Sequence, residues 1–250
     1  MTAILAIAKR ELGAYFSSVI GWIVLVAFTL LAGLFFSMMI MSVAVQGGMG
    51  MPEANVTEMI VQGLFGNLSV IVLLVMPAIT MGTIAAERRE RSIELLLTSP
   101  ISSWQIVAGK FLGGLGYAAI LVATTLYVPA ILYWIGDPDS GVFYANYGGF
   151  MVLMAVFVAV GLFTSSVTDN QLIALVIGFT INLSAWIVGW LGQMLDEGKA
   201  KSVVEHISML NHFEQLSKGV VHTSDAVYFI SVIFFFLFAT TQRVEALRWR

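Results

Sequence analysis

The sequence predicts an all-α integral membrane protein, in which a single domain spanning residues 1–250 crosses the bilayer six times. Apolar residues make up 59% of the chain and charged residues only 11%, whereas about a quarter of a typical soluble domain is charged. The apolar residues also fall in long charge-free blocks. The spans are predicted to be helices, because backbone polar groups cannot stay unpaired in lipid and the strict alternation of barrel strands is missing from the sequence.

Six charge-free blocks supply the predicted spans, since a helix needs about 20 mainly apolar residues to cross the hydrocarbon core. They lie near residues 19–43, 63–85, 111–135, 147–167, 171–194 and 226–243. The first block is longer than the apolar core of about 7–15 residues that a cleaved signal peptide carries. It is therefore predicted to be a retained anchor.

Residues 1–17 are predicted to form an interfacial helix. One helical face carries only apolar side chains, and Lys9, Arg10 and Glu11 occupy the remainder. The members of the apolar face are Ile4, Leu5, Ala8, Leu12, Tyr15 and Phe16. Such a helix is expected to lie along the cytoplasmic surface with its apolar face at the acyl boundary. The alternative is that these residues simply begin span 1.

The placement of Lys and Arg predicts that both termini are cytoplasmic. Nine of the 12 basic residues precede span 1, separate spans 2 and 3, or follow span 6, and these segments share one side of a six-span chain. Basic residues are enriched in cytoplasmic loops. The opposite side holds Lys199, Lys201 and Lys218 together with nine acidic residues.

Several classes of site find no support in the sequence. The chain has no cysteine, which excludes disulfides and thiolate sites, and no basic stripe with interleaved aromatics points to nucleic acid. His206, His212 and His222 fall in the segment 195–225, which is predicted to be amphipathic and to lie outside. Their spacing does not pair any two on one helical face, so no metal site is predicted. The apolar face of this segment is assigned to Ile207, Leu210, Phe213 and Leu216.

The predicted spans carry essentially no ionisable residue, which disfavours a proton- or sodium-driven carrier and an intramembrane protease. Asp169, in the short turn between spans 4 and 5, is expected to cap span 5. Asn182, Ser184, Thr124 and Thr125 could line a pathway or could make hydrogen bonds between helices. Gly109 and Gly113 would let another backbone approach span 3, either within the chain or in a dimer.

The stretch AAERRERSIELLLTSPISSWQIVAGKF, residues 85–111, lies between two apolar spans and places six charged residues within residues 87–94. The spacing of Ile93, Leu96 and Leu97 predicts a short amphipathic helix. Pro100 ends that helix, and Ser102 or Ser103 can cap the next one. From the residues alone, two interpretations stay open. The loop could merely follow the rule that positive charge stays inside, or it could dock a cytoplasmic partner.

The run ERRERSIELLLTSP, residues 87–100, followed by Gly109-Lys110, resembles the signature loop of ABC-2-type transporter permeases. That loop has an acidic and basic cluster, a Ser/Thr-x-Glu-x-Leu-Leu run, a proline and a Gly-Lys that opens the third span. Ser92 departs from the pattern, since many members have Gly there. The N-terminal helix, the six spans and the outer segment before span 6 also resemble the family, and "ISMLNHFEQLSKGVVHTSDAVYF" resembles its gliding-motility-associated subgroup.

The resemblance implies that residues 87–100 form a coupling helix seated on a separate ABC ATPase subunit. The residues carried over to ATPase coupling are Glu87, Arg88, Arg89, Arg91, Glu94, Leu95, Leu96 and Pro100. It further implies a second permease subunit, as a homodimer or a related heterodimer, and membrane lipid around both. An auxiliary extracytoplasmic subunit is a further partner to consider.

The chain is not expected to be an enzyme or to bind a cofactor directly. A Walker A loop needs G-x-x-x-x-G-K-[ST], but Trp104 stands where the first glycine belongs and Phe111 where the hydroxyl belongs. ATP and Mg²⁺ are therefore expected in the partner ATPase.

The leading hypothesis is the permease of an ATP-driven exporter in a bacterial inner membrane. The alternative is a membrane anchor or scaffold in an ABC-type complex that acts on partner proteins without moving a solute. A stand-alone channel is disfavoured, since no ring of charge or filter-like motif appears. The sequence does not identify the cargo.

Overall fold

The computed structural model describes residues 2–46, 53–93, 100–135, 139–194, 206–218 and 222–248, together with residues 198, 201 and 204. The helices of these residues are α1 (Thr2–Ser17), α2 (Val19–Gln46), α3 (Glu53–Thr80), α4 (Gly82–Arg89), α5 (Ser103–Ala123), α6 (Tyr127–Ile135), α7 (Ser140–Val167), α8 (Gln171–Met194), α9 (Met209–Ser217) and α10 (Thr223–Arg248).

Among the described residues, six helical stretches are long and apolar enough to cross a membrane, which confirms the predicted number of spans. They are Val19–Val45, Glu58–Arg89, Ser103–Ile135, Ser140–Val167, Gln171–Trp190 and Thr223–Arg248. The second and third stretches each consist of two helices, a feature that the charge-free windows do not reveal. The first stretch exposes large apolar side chains along one side, Trp22, Leu30, Leu34 and Met38 among them, as a lipid-facing helix does.

Helix α7 is the centre of the bundle. Every residue from 153 to 162 on it is buried, and it packs against α3, α5, α8, α9 and α10. Small residues permit this crowding: a Cβ atom at Gly161 would lie 1.8 Å from Thr80 Oγ1, and one at Gly114 would lie 2.8 Å from Val158 Cγ1. Close backbone approach at small residues is typical of helix packing in membranes.

The break between α5 and α6 has an identifiable cause. Pro129 lies in the first turn of α6, and because proline has no N–H, the carbonyl of Thr125 four residues earlier loses its helical donor. Tyr147 on α7 donates its hydroxyl to this Thr125 oxygen at 2.9 Å. The Thr124 and Thr125 side chains bond back to Leu121 O and Val122 O. These two threonines therefore belong to the helix break.

Helix α1 packs on protein where the sequence predicted packing on lipid. A Cβ at Gly109 would lie 2.7 Å from Ile7 Cβ, and one at Gly113 would lie 2.6 Å from Glu11 Cβ. The two glycines of α5 thus seat α1 within the chain. Leu5, assigned to the apolar face, is 63% exposed, while Glu11, assigned to the polar remainder, is buried.

Two local assignments differ from expectation. Span 5 is capped by Asn170, whose Oδ1 accepts from the N–H groups of Leu172 and Ile173, and Asp169 beside it is exposed. Leu210, Phe213 and Leu216, which were assigned to the apolar face of the outer segment, are buried within the protein on α9. Ile207, assigned to the same face, precedes α9 and is 57% exposed. His212 lies on the buried side.

Candidate functional site

The charged loop starts on α4, which continues span 2 beyond a break at Met81. Pro77 lies inside the last turn of α3, and Met81 supplies no side-chain cap to α4, so the first N–H groups of α4 need other acceptors. Ser165 of α7 fills this role. Its Oγ accepts from Ile84 N at 3.0 Å and from Ala85 N at 2.9 Å, and it donates to Met81 O at 2.8 Å. One side chain thus fixes the start of α4 to the core helix.

Four charged residues from three helices meet beneath the loop. Lys110 of α5 is 1% exposed; its Nζ donates to Glu11 Oε1 and to Thr83 O, both at 2.8 Å, and forms an ion pair with Glu87 Oε2 at 2.9 Å. Arg10 donates to Glu11 Oε1 at 2.8 Å and to Glu87 Oε1 at 2.5 Å. We call Arg10, Glu11, Glu87 and Lys110 the ion-pair cluster.

The ion-pair cluster is electrically balanced, with two positive and two negative side chains. Burial lowers the pKa of Arg10, but its hydrogen bond to Glu11 and the charge of Glu87 outweigh burial and raise that pKa overall. The cluster joins α1, α4 and α5. It therefore makes the beginning of the loop part of one rigid unit with the N-terminal helix and span 3.

Arg88 also turns inward, since its Nη1 donates to Ser166 O at 2.9 Å. The side chains that follow it face outward: Arg89, Glu90 and Arg91 are all exposed. Arg91 has φ 58°, in the left-handed region that a non-glycine residue adopts only at a cost. Glu94, Leu95 and Leu96 lie outside the described residues, and Pro100 is exposed.

The end of the loop is held by α10. The Arg248 Nη2 atom donates to Ile101 O at 3.1 Å, and Ser103 donates its hydroxyl to Glu245. Ser102 caps α5 and forms a capping box with Gln105, which settles the two predicted alternatives in favour of Ser102. Both ends of the loop are therefore tied to membrane helices.

A shallow cleft of about 490 Å³ lies beside the exposed residues. It is lined by Arg89 together with Asp169, Asn170, Gln171 and Leu172 of the turn between α7 and α8. Its charges are mixed, basic on the loop and acidic on the turn.

Of the predicted coupling residues, the structure brings Glu87 into the buried cluster, ties Arg88 to α7 and leaves Arg89, Arg91 and Pro100 exposed. Sequence analysis missed Arg10, Glu11 and Lys110 as partners of the loop. A signal was present for Glu11: Ile7 and Tyr15, four residues to either side, place it within the apolar face of α1.

A second cavity lies at the opposite end of the bundle, where α3 begins and α8 ends. It has a volume of about 440 Å³ and is roofed by α9. Its lining combines aromatic and apolar residues with polar ones, and consists of Gln62, Gly63, Gly66, Ser69, Val70, Trp186, Trp190, Leu210, Phe213, Glu214, Ser217 and Lys218. We call it the α9 cleft.

Six apolar helical stretches in the described part of the chain, with an anchored charged loop between the second and the third, define a multi-pass membrane protein. Residues 5–244 match the ABC-2 family transporter proteins. This chain belongs to that family, whose members are the membrane permeases of ABC transporters and work with an ABC ATPase. The comparison with curated proteins gives no match.

Proposed function

We propose that this chain is the permease subunit of an ATP-driven exporter in a bacterial inner membrane, driven by an ATPase that docks on the loop at residues 87–100. The observation that carries this proposal is the anchoring of the loop at both ends, with the exposed Arg89, Glu90 and Arg91 between the anchors. A loop whose basic residues served only to keep it on the cytoplasmic side would not need to be bonded to membrane helices at both ends. ATP and Mg²⁺ would bind in the partner, a proposal supported by the mismatch of the sequence around Gly109-Lys110 to a Walker A pattern.

The loop residues divide into two roles. Arg89 and Arg91, with Pro100 at the far end, are exposed and form the surface offered to the ATPase, together with Asp169 in the neighbouring cleft. Glu87 and Arg88 hold the loop to the membrane helices. Glu94, Leu95 and Leu96 are assigned to the ATPase contact by family resemblance.

Movement of the loop would reach the membrane by two routes. A shift of α4 moves Glu87 and with it Lys110 on α5 and Glu11 on α1. A shift of the far end moves Ile101 and Ser103 and with them α10. Since a conformational change needs contacts that differ between its two states, the ATPase must grip this surface differently with and without ATP.

We infer that the loop and both termini face the cytoplasm, as the distribution of Lys and Arg predicts. A second permease subunit completes the transporter. The face of α8 that carries Thr180 and Ser184 is exposed in the single chain, and polar side chains in a span favour a neighbour or a pathway over lipid. An auxiliary extracytoplasmic subunit would bind at the opposite end.

The α9 cleft supports an amphipathic cargo. Trp186, Trp190 and Phe213 offer an apolar wall, and Gln62, Glu214 and Lys218 offer polar and charged groups. Sites for small molecules combine apolar walls with a few placed polar groups in this way.

Charge reversal on the exposed part of the loop tests the ATPase assignment. Arg89→Glu combined with Arg91→Glu is expected to abolish co-purification of the ATPase and ATP-dependent transport in vesicles. Lys9→Glu, an exposed reversal on α1, is the matched control and is expected to leave both unchanged. Undiminished co-purification by the loop variant would refute the assignment. Transport of amphipathic candidates, measured in the same vesicles, separates an exporter from a scaffold.

A further inference from the structure

A fully buried asparagine of α8 has an unpaired side-chain amide. Asn182 is 0% exposed, and neither its Oδ1 nor its Nδ2 is hydrogen-bonded to any group among the described residues. Two roles were open for it from the sequence, a hydrogen bond between helices or a place in a pathway. The described residues supply no partner for the first role. Because burial of an unpaired amide is costly, its presence in a span calls for an explanation.

Asn182 lies just beyond the deep end of the α9 cleft. The cleft is lined by the first half of α3 and the second half of α8, so these helices run antiparallel. Farther along them, a Cβ atom at Gly178 would lie 3.3 Å from Cβ of Pro77. Gly178, Asn182 and the cleft residue Trp186 follow at intervals of four and share one helical face. Asn182 therefore lies about one turn from Trp186, between the cleft and the Pro77 contact.

A second hydrogen-bonding group lies at the same level on α3. Because Pro77 has no N–H, the carbonyl of Leu73 four residues earlier loses its helical donor. Leu73 and Asn182 are each one turn from the Pro77 contact on the cleft side, so they stand level on the two antiparallel helices. Ser69, one turn farther along α3, lines the cleft. A ligand that reached one turn past Ser69 would meet two acceptors, Leu73 O and Asn182 Oδ1, and the donor Asn182 Nδ2.

The surroundings of these groups are neutral. The sequence contains no Asp, Glu, Lys, Arg or His in residues 62–86, 140–168 or 171–195, which include the packed parts of α3, α7 and α8. A charged ligand group at this depth would stay uncompensated, which is costly. Glu214 and Lys218 line the cleft where α9 roofs it. The deep end therefore favours a neutral group that donates hydrogen bonds.

We propose that Asn182 and the Leu73 carbonyl form a subsite for the neutral polar group of an amphipathic cargo. A primary amide is the best match, since its two N–H groups serve the two acceptors and its oxygen accepts from Asn182 Nδ2. The apolar part of the ligand lies against Trp186 and Trp190. Since Asn182 is fully buried, the cleft deepens by about one turn between α3 and α8 when the ligand binds. The inference rests on the proposed function, in which the α9 cleft holds cargo.

Photolabelling of the purified chain in lipid nanodiscs, without ATPase or ATP, tests the subsite. The probe is a medium-chain fatty primary amide that carries a diazirine on its chain. Its N,N-dimethyl counterpart accepts hydrogen bonds but cannot donate them, and serves as the matched ligand. The primary amide is expected to label residues 182–190 saturably, with an apparent affinity about tenfold higher than that of the dimethyl amide. Asn182→Leu is expected to remove most of this preference.

The matched control is Asn67→Leu. The amide of Asn67 already donates to Gly63 O within its own helix, so this variant should keep the preference for the primary amide. Asn182→Leu removes an unpaired buried amide and is expected to leave the melting temperature unchanged or raise it. A marked fall in that temperature would show that Asn182 has a structural role instead. Equal affinities for the two probes in the wild type, or an undiminished preference in Asn182→Leu, would also overturn the proposal.

Gly66→Leu separates failure of the subsite from failure of the proposed cargo site. Gly66 lines the cleft, and a Cβ atom there meets no atom within 4 Å. Loss of labelling in Gly66→Leu, with no effect of Asn182→Leu, would retain the cleft as a cargo site and refute the subsite. Absence of saturable labelling in the wild type would count against both. Neither result bears on ATPase docking, which the charge reversals on the loop test independently.

Discussion

The Nζ atom of Lys110 lies 2.8 Å from Oε1 of Glu11, a carboxylate 99 residues away along the chain. This contact joins the start of span 3 to the N-terminal helix, and Glu87 brings the charged loop into the same cluster. A lysine that is 1% exposed needs acidic partners, because burial of an unpaired charge is costly.

Removal of one member of the ion-pair cluster should lower the free energy of unfolding far more than removal of two oppositely charged members together. Lys110→Met leaves a net negative charge in a buried site and is expected to lower the free energy of unfolding by about 3–5 kcal/mol. Glu11→Gln should also destabilise the protein, but the double variant restores charge balance and should recover most of the loss.

Unfolding in detergent micelles, arranged as a double-mutant cycle, measures this coupling. Lys9→Met, at an exposed position of α1, serves as the control and should change stability little. Losses that simply add in the double variant would contradict the assigned pairing.

Ser165 should contribute more to the free energy of unfolding than an ordinary buried serine does. Ser165→Ala leaves the N–H groups of Ile84 and Ala85 without their acceptor and is expected to cost about 1–3 kcal/mol. Ser69→Ala is the matched change, since Ser69 is equally buried but donates within its own helix to Gly66 O, and its cost should stay below about 1 kcal/mol. Equal losses of stability would show that Ser165 does not hold α4.

The backbone at Arg91 stores strain that glycine would relieve. Because φ is 58°, Arg91→Gly is expected to raise the free energy of unfolding by about 1 kcal/mol relative to Arg91→Ala. Both variants remove the same charge, so they should weaken ATPase binding alike while their stabilities differ. Thermal unfolding and ATPase co-purification measured on the two variants separate strain from docking, and equal stabilities would argue against the left-handed conformation.

The number of spans and the position of the loop could be predicted from the sequence, because charge-free windows and Pro100 are local signals. The breaks at Met81 and at residues 124–126 lie next to Pro77 and Pro129, local signals that the sequence analysis did not use. The groups that bond to the freed backbone there, Ser165 and Tyr147, lie on a distant helix and could not be predicted. The pairing of Glu11 with Lys110 was missed for the same reason: a charge balance between helices has no local pattern. Arg88 and Glu87 were recognised as important, but their inward direction was not.

Filling the α9 cleft should block cargo without harming the fold. A Cβ atom at Gly66 meets no atom within 4 Å, and the same holds at the exposed Gly148 of α7. Gly66→Leu is therefore expected to lower the transport rate of an amphipathic cargo about tenfold or more, because the new side chain displaces one well-packed group of the ligand. The free energy of unfolding should change little. Gly148→Leu should leave both unchanged. Transport assays in vesicles measure the difference. Equal transport rates in the two variants would show that the cargo does not pass through the α9 cleft.

Site-specific photo-crosslinking in native membranes tests the central claim most directly, that the exposed loop is the surface gripped by an ATPase. A photoreactive residue at Arg89 or Arg91 is expected to yield an adduct whose second chain contains a Walker A sequence, with a yield that changes when ATP is added. The same probe at Tyr144, 81% exposed near the start of α7, is expected to give no such adduct. An ATPase adduct from Tyr144 and none from the loop would contradict the account.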